Sequence, residues 1–193
     1  MDLVLASTSP YRRALMERLG LPFRCRAPLC DEDQLKMELG AVTPKRLAER
    51  LAEAKALSLA EVEPHATIIG CDQVAEFDGL VFSKPGHAER AVEQLMSMSG
   101  REHTLITALV VWSGGEVLRH TDVTTLRFRS LDRDQVERYV AADQPLDCAG
   151  AYKLEARGIV LFDQVLSDDF TAITGLPLIA LTSILRDFGH VLP

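Results

Sequence analysis

The stretch Leu3-Val4-Leu5-Ala6-Ser7-Thr8-Ser9-Pro10-Tyr11-Arg12-Arg13-Ala14-Leu15-Met16 holds three local signals in immediate succession. Leu3 to Ala6 is an apolar run with the length of a buried strand. Small hydroxyl residues follow, then Pro10, then Leu15, Met16 and Leu19 at helical spacing. Ser7, Thr8 or Ser9 can accept hydrogen bonds from the first free amides of that helix. Proline is tolerated in a first helical turn because its missing donor has no partner there. The segment predicts strand, tight turn, helix, with Arg12 and Arg13 in the first turn of the helix.

A helix N-terminus is already partly positive, so two arginines there are mildly unfavourable unless an anion arrives. Free amides, hydroxyls and guanidinium groups converging on one spot make a phosphate site. The ordinary place for an arginine pair is a solvated face; the strand-hydroxyl-helix context favours phosphate binding here.

Outward from this stretch, Gly20 and Pro22 break the helix, and Phe23 to Arg26 predicts a second strand leading into a loop with Asp31, Glu32 and Asp33. Thr43-Pro44 starts a helix that runs through Leu47, Leu51, Ala54 and Leu57 to about Glu61. Lys55 falls on or beside its apolar stripe, where a lysine usually carries its head out to solvent. Ala66–Ala75 reads as a buried strand ending in polar chemistry at Asp72. Asp78-Gly79 is a hairpin turn that brings Leu80–Phe82 back against it. After Lys84-Pro85-Gly86, a helix is expected from His87 to Met98. Leu105–Ser113 and Glu116–Arg129 flank Gly114-Gly115 as a long hairpin, with Thr124, Leu126 and Phe128 on one side of its second arm. Asp132 caps a further helix, and Gly175-Leu176-Pro177 opens the last, from Leu178 to about Phe188. Strands alternating with helices, and a hairpin in the middle, predict an α/β fold with a mixed sheet.

The chain of 193 residues, 47% hydrophobic and 25% charged, suits one soluble globular domain over residues 1–193 with room for a real core. A net charge of −7 argues against binding nucleic-acid polymers, which takes an extended basic surface, but leaves room for a local basic pocket. Apolar stretches around 105–112 and 176–185 are too short or too interrupted to span a bilayer. Met1-Asp2 precedes the first apolar run without a basic region, so no secretory signal is expected. Cys25, Cys30, Cys71 and Cys148 show no C-x-x-C spacing, which points to reduced thiols, a cytoplasmic setting and no zinc.

Five short motifs, in order, resemble the Maf family of nucleoside triphosphate pyrophosphatases. They are Ser7-Thr8-Ser9-Pro10-Tyr11-Arg12-Arg13, Ala27-Pro28-Leu29-Cys30-Asp31-Glu32, Gly70-Cys71-Asp72-Gln73-Val74, Lys84-Pro85 and Ala149-Gly150-Ala151-Tyr152-Lys153. The resemblance implies an elongated, curved mixed β-sheet flanked by helices, in two lobes with a central cleft, the Maf or inosine triphosphatase-like fold. It implies that Asp72 is the catalytic proton acceptor for an attacking water, although a lone aspartate at a strand end ordinarily just caps a loop. Glu32 matches the family's acidic residue near a divalent metal, shared with Asp72, and magnesium or manganese suits such an oxygen-only set. Arg13, Lys55 and Lys84 match phosphate-contacting residues, with Ser7 and Arg12 as further candidates.

Gln73 after the aspartate, and Ala151-Tyr152-Lys153-Leu154-Glu155 in the later motif, resemble the 7-methyl-GTP pyrophosphatases, whose three specificity positions match Tyr11, Gln73 and Glu155. Tyr11 can stack on the cationic ring of N7-methylated guanine. Glu155 can accept from its N1 and amino hydrogens, and Gln73 can add a neutral contact. Tryptophan is common at the first position among relatives of this group; Tyr11 keeps the stacking with less area. The alternatives are the same chemistry on dTTP or UTP, and a nucleotide-binding regulator of septum formation or cell division. The expected partner is a small nucleoside triphosphate, and because relatives are often dimers, a homodimer.

Overall fold

The computed structural model describes residues 2–192. The chain divides into two compact units, the first made of residues 1–72, 107–122 and 169–193, the second of residues 73–106 and 123–168. Three of the four divisions fall inside strands, after Asp72, Ile106 and Asp122, and the fourth follows Asp168.

In the first unit, β1 (Asp2–Ala6) pairs in parallel with β2 (Arg24–Arg26) and with β3 (Ala66–Phe77), in the register Leu5↔Cys25 and Leu5↔Ile69. Parallel neighbours need crossovers. They are α1 (Pro10–Glu17) between β1 and β2, then α2 (Glu32–Leu39) and α3 (Pro44–Leu57) before β3. Side chains alternate across the strands. Leu3, Leu5, Ile69 and Cys71 join Leu15 and Met16 of α1 and Leu178, Leu181, Ile184 and Leu185 of the last helix in one buried cluster. The alternate residues Val4 and Ile68 are equally buried, as expected of parallel strands covered on both faces.

Gly70 permits the closest approach in this unit. A Cβ there would lie 2.3 Å from the Ala52 carbonyl oxygen and 2.6 Å from the Ala56 nitrogen. Backbone of α3 therefore lies directly on β3, two residues before Asp72.

In the second unit, the end of β3 turns at Asp78-Gly79, both with positive φ (52° and 79°), into antiparallel β4 (Leu80–Phe82). Helix α4 (Ala88–Met98), capped by His87, packs on α5 (Arg133–Asp143), which has a full capping box between Asp132 and Gln135. Strands β5 (Glu102–Ser113) and β6 (Glu116–Phe128) flank the Gly114-Gly115 turn. Thr124, Leu126 and Phe128 are buried, as the alternation predicts. β7 (Phe162–Leu166) pairs antiparallel with β6. Rings of Phe128, Phe162, Tyr152 and His103 cluster, with centroids 4.4 to 6.0 Å apart.

Among the described residues, seven strands are hydrogen-bonded in the order β2-β1-β3-β5-β6-β7, with β4 on β3, so the sheet is mixed. A short helix α6 (Phe170–Ile173) precedes the last helix α7 (Leu178–Asp187).

The segment after β2 differs from the loop expected at Asp31, Glu32 and Asp33: it is helix α2. The Asp31 carboxylate accepts the amides of Asp33 (3.0 Å) and Gln34 (2.9 Å), and Glu32 and Asp33 face the positive helix end. No residue of α2 is buried, so apolar periodicity is silent there. Helix α3 stops at Leu57 rather than near Glu61 and continues as turns.

Candidate functional site

Lys55 is on the last turn of α3 and is buried, against the habit of lysines on such stripes. Its ammonium donates to Asp72 Oδ1 at 2.6 Å and lies 3.1 Å from Glu32 Oε1. Three elements meet here: α3 supplies the lysine, β3 the aspartate, and the first residue of α2 the glutamate. Asp72 is buried, with 8% of its surface exposed, whereas the Glu32 side chain is 38% exposed. Two carboxylates thus face one ammonium from different directions. The trio carries one net negative charge in a largely dry setting, where an unpaired charge is costly.

This geometry bears on whether a divalent cation suits the site. Glu32 and Asp72 already direct one oxygen each at a single positive atom. Two carboxylates, completed by water and phosphate oxygens, are a usual donor set for magnesium. The pair fits such an ion, and Lys55 is the positive group facing both carboxylates. No cluster of three or more His, Cys, Asp or Glu side chains able to hold a metal occurs among the described residues.

The α1 end of the first unit is built as the opening stretch predicts. Ser9 caps the helix, its hydroxyl accepting the Arg12 amide at 3.5 Å, and Ser7, buried at the strand end, accepts the Ser9 amide at 3.1 Å. The two arginines part. Arg12 is half-buried, and its Nε donates to the Gly175 carbonyl at 2.9 Å. Arg13 points outward, 66% exposed, and pairs with Glu17 at 3.1 Å. Tyr11 is half-buried beside them.

Sequence reasoning passed over Gly175. Its carbonyl accepts from both Arg12 and the Cys71 thiol, the latter at 3.0 Å, and its φ is +108°. Burial pushes the Cys71 thiol up to about 11, so it serves as a neutral donor. Cys71 and Arg12 thereby fix the turn before α7 to the residue preceding Asp72. The sequence signal was Gly175-Leu176-Pro177, legible as a helix start but not as an acceptor for groups far away in the chain.

The second unit holds the remaining candidates. Gln73, half-buried, follows Asp72 and so projects from the opposite face of β3. Lys84 is exposed after β4, and Glu155 is exposed in a turn after Tyr152. The structure therefore gathers Glu32, Lys55 and Asp72 in direct contact. It sets Ser7, Tyr11, Arg12 and Arg13 at the start of α1 in the same unit, and places Gln73, Lys84 and Glu155 in the other.

The sequence model of the family described as "Maf-like protein" matches residues 2–188. A 7-methyl-GTP pyrophosphatase of Bdellovibrio bacteriovorus is 48% identical over 186 residues, covering 96% of each chain. Proteins of the same description from Polaromonas sp. and Xanthomonas campestris are 45% and 46% identical over 192 residues, covering 98% and 99% of this chain and 86% and 98% of their own. Among solved structures, that of the Staphylococcus aureus Ham1 protein aligns with a TM-score of 0.53 over 97% of this chain and 99% of its own, at 12% identity, a likeness of fold alone.

Proposed function

Because this chain belongs to the Maf-like protein family, we propose that it is a nucleoside triphosphate pyrophosphatase that hydrolyses 7-methyl-GTP to 7-methyl-GMP and diphosphate. One observation carries this: near-full-length identity of 45–48% to proteins named for that activity, in a chain whose Asp72, Lys55 and Glu32 meet within hydrogen-bonding distance.

In this proposal a water attacks the α-phosphorus, the α–β anhydride bond breaks, and the diphosphate leaves with its electron pair. Asp72 orients the water and accepts its proton. Burial suits the task, because a carboxylate with few competing waters holds its hydrogen-bond partner in one place. Lys55 presents a fixed positive charge to the triphosphate, and Arg13, Lys84, Ser7 and Arg12 supply further donors to it. Arg13 can turn to an incoming phosphate at little cost, since an exposed i,i+4 pair is worth well under about 1 kcal/mol. Glu32 and Asp72 would hold magnesium or manganese, which when bound supplies charge neutralisation for the phosphate oxygens. Tyr11, Gln73 and Glu155 select the base, with Glu155 accepting from the guanine edge and Tyr11 stacking on the cationic ring.

The test is a panel of 7-methyl-GTP, GTP, dTTP and UTP with magnesium or manganese, read by diphosphate release. The expected result is the highest kcat/KM on 7-methyl-GTP, with a loss of about 10²–10⁴-fold in Asp72→Asn, the scale of a lost general base. A preference for dTTP or UTP overturns the base assignment. No diphosphate from any nucleotide overturns the activity.

A further inference from the structure

The turn that carries Glu155 is held down more firmly than an exposed loop requires. Tyr139, on α5 and buried, accepts the backbone amide of Lys153 on its hydroxyl at 2.9 Å. The Lys153 carbonyl accepts the amides of Ala156 (3.1 Å) and Gly158 (2.9 Å). The next anchor is Arg157, whose amide donates to Asp143 Oδ2 at 2.9 Å and whose guanidinium meets Asp143 Oδ1 at 3.1 Å. Asp143 is the last residue of α5, and its side chain is only 3% exposed. On the other flank the hydroxyl of buried Tyr152 pairs with His103 Nε2 at 2.8 Å. A Cβ on Gly150 would meet the Tyr152 ring at 2.9 Å, so the approach to this anchor leaves no room for a side chain.

Residues 153 to 157 are thus bracketed, with Glu155 exposed in the middle of the turn. Burial pushes the phenols of Tyr139 and Tyr152 well above their ordinary value, so both anchors act as neutral hydroxyls. A rigid backbone at this point costs side-chain and loop entropy in folding and returns it as preorganisation in binding.

We propose, resting on the role of Glu155 given above, that Tyr139 and Asp143 are positioning residues for base selection: they fix the Lys153–Arg157 turn so that Glu155 stands ready for the guanine edge. They touch neither phosphate nor reacting atoms. Their removal therefore weakens recognition of 7-methyl-GTP and spares the chemical step.

Steady-state kinetics of Tyr139→Phe, Asp143→Asn and Glu155→Ala, singly and combined, on 7-methyl-GTP and dTTP test this, with thermal unfolding of each variant alongside. Tyr139→Phe removes one hydroxyl and keeps the ring. It should raise KM for 7-methyl-GTP about three- to tenfold, the value of one hydrogen bond, with kcat within about twofold and dTTP kinetics unmoved. In the Glu155→Ala background the same change should have no further effect, because the group being positioned is gone. Asp143→Asn, which leaves Tyr139 packed, should give the same pattern and keeps the test open if the first variant folds poorly. Equal losses on both nucleotides, a fall in kcat alone, or an effect undiminished by Glu155→Ala would overturn the proposal. If Glu155→Ala itself leaves base preference untouched, the role of Glu155 fails, visibly from that single variant, and the positioning role falls with it.

Discussion

Lys55→Met should be the most destabilising conservative change in the first unit that leaves its apolar packing intact. Methionine keeps the unbranched stem and removes the ammonium. Asp72, with 8% exposure, then loses a 2.6 Å partner, and two carboxylates that shared one cation face each other. Breaking a buried pair from one side costs about 3–5 kcal/mol. Glu32, 38% exposed, can turn to water, so the low end, about 3 kcal/mol, is expected. Asp72→Asn is different: Lys55 keeps Glu32 at 3.1 Å, and the expected cost is about 1 kcal/mol. For a chain of this size these values correspond to drops in Tm of about 6–12 °C and 2–4 °C. The assay is calorimetry and urea unfolding at pH 7 with a chelator present, so that no divalent ion substitutes for the ammonium. If Lys55→Met melts within a degree or two of Asp72→Asn, or above it, the ammonium is not what balances the two carboxylates.

Millimolar magnesium added after the chelator is removed should stabilise Lys55→Met more than the parent chain, because the acidic pair no longer has a competing cation; the Tm shift against magnesium concentration reads this. Gly70→Ala should lower stability by about 1–3 kcal/mol or more, since the new Cβ meets backbone of α3, 2.3 Å from an oxygen, and activity should fall with it as Lys55 is carried away from Asp72. Burial holds the His103 imidazole down to about 4 from its ordinary 6.5. The unfolded chain therefore binds more protons in that window, and stability is unaffected above pH 6.5 but falls as pH drops toward 4. The fall reaches about 3 kcal/mol in urea titrations, and His103→Gln should lose that part of the acid limb. Arg13→Ala should leave Tm unchanged within about 1 °C, because its partner Glu17 is an exposed i,i+4 neighbour, while raising KM for the triphosphate.

How far the site could be read from the chain differs residue by residue. Local rules sufficed to put the cap of α1 among Ser7, Thr8 and Ser9, of which the structure uses Ser9, to place Thr43 and Asp132 at the caps of their helices, and to place the turn at Asp78-Gly79, because each partner lies within four residues. They failed at α2, which buries nothing and so shows no period, although Glu32 is its first residue. They also suggested the wrong surroundings for Lys55. A lysine beside an apolar stripe normally reaches solvent, but here Gly70 lets β3 come close enough to α3 that the ammonium meets Asp72 instead.

What the amino-acid order determined alone was the run of strands and helices, the caps and turns that punctuate them, and the family to which they belong. These depend on neighbours a few residues apart, whose geometry the backbone fixes before any packing occurs. Only the folded chain decided that Arg12 and Arg13 part company, that the Gly175 carbonyl holds residues from α1 and β3, that one buried ammonium faces two carboxylates, and that α5 anchors the turn bearing Glu155. Apart from the local Arg13–Glu17 pair, these join groups distant in sequence, and nothing in a linear pattern states which side chains a close backbone approach will bring within 3 Å.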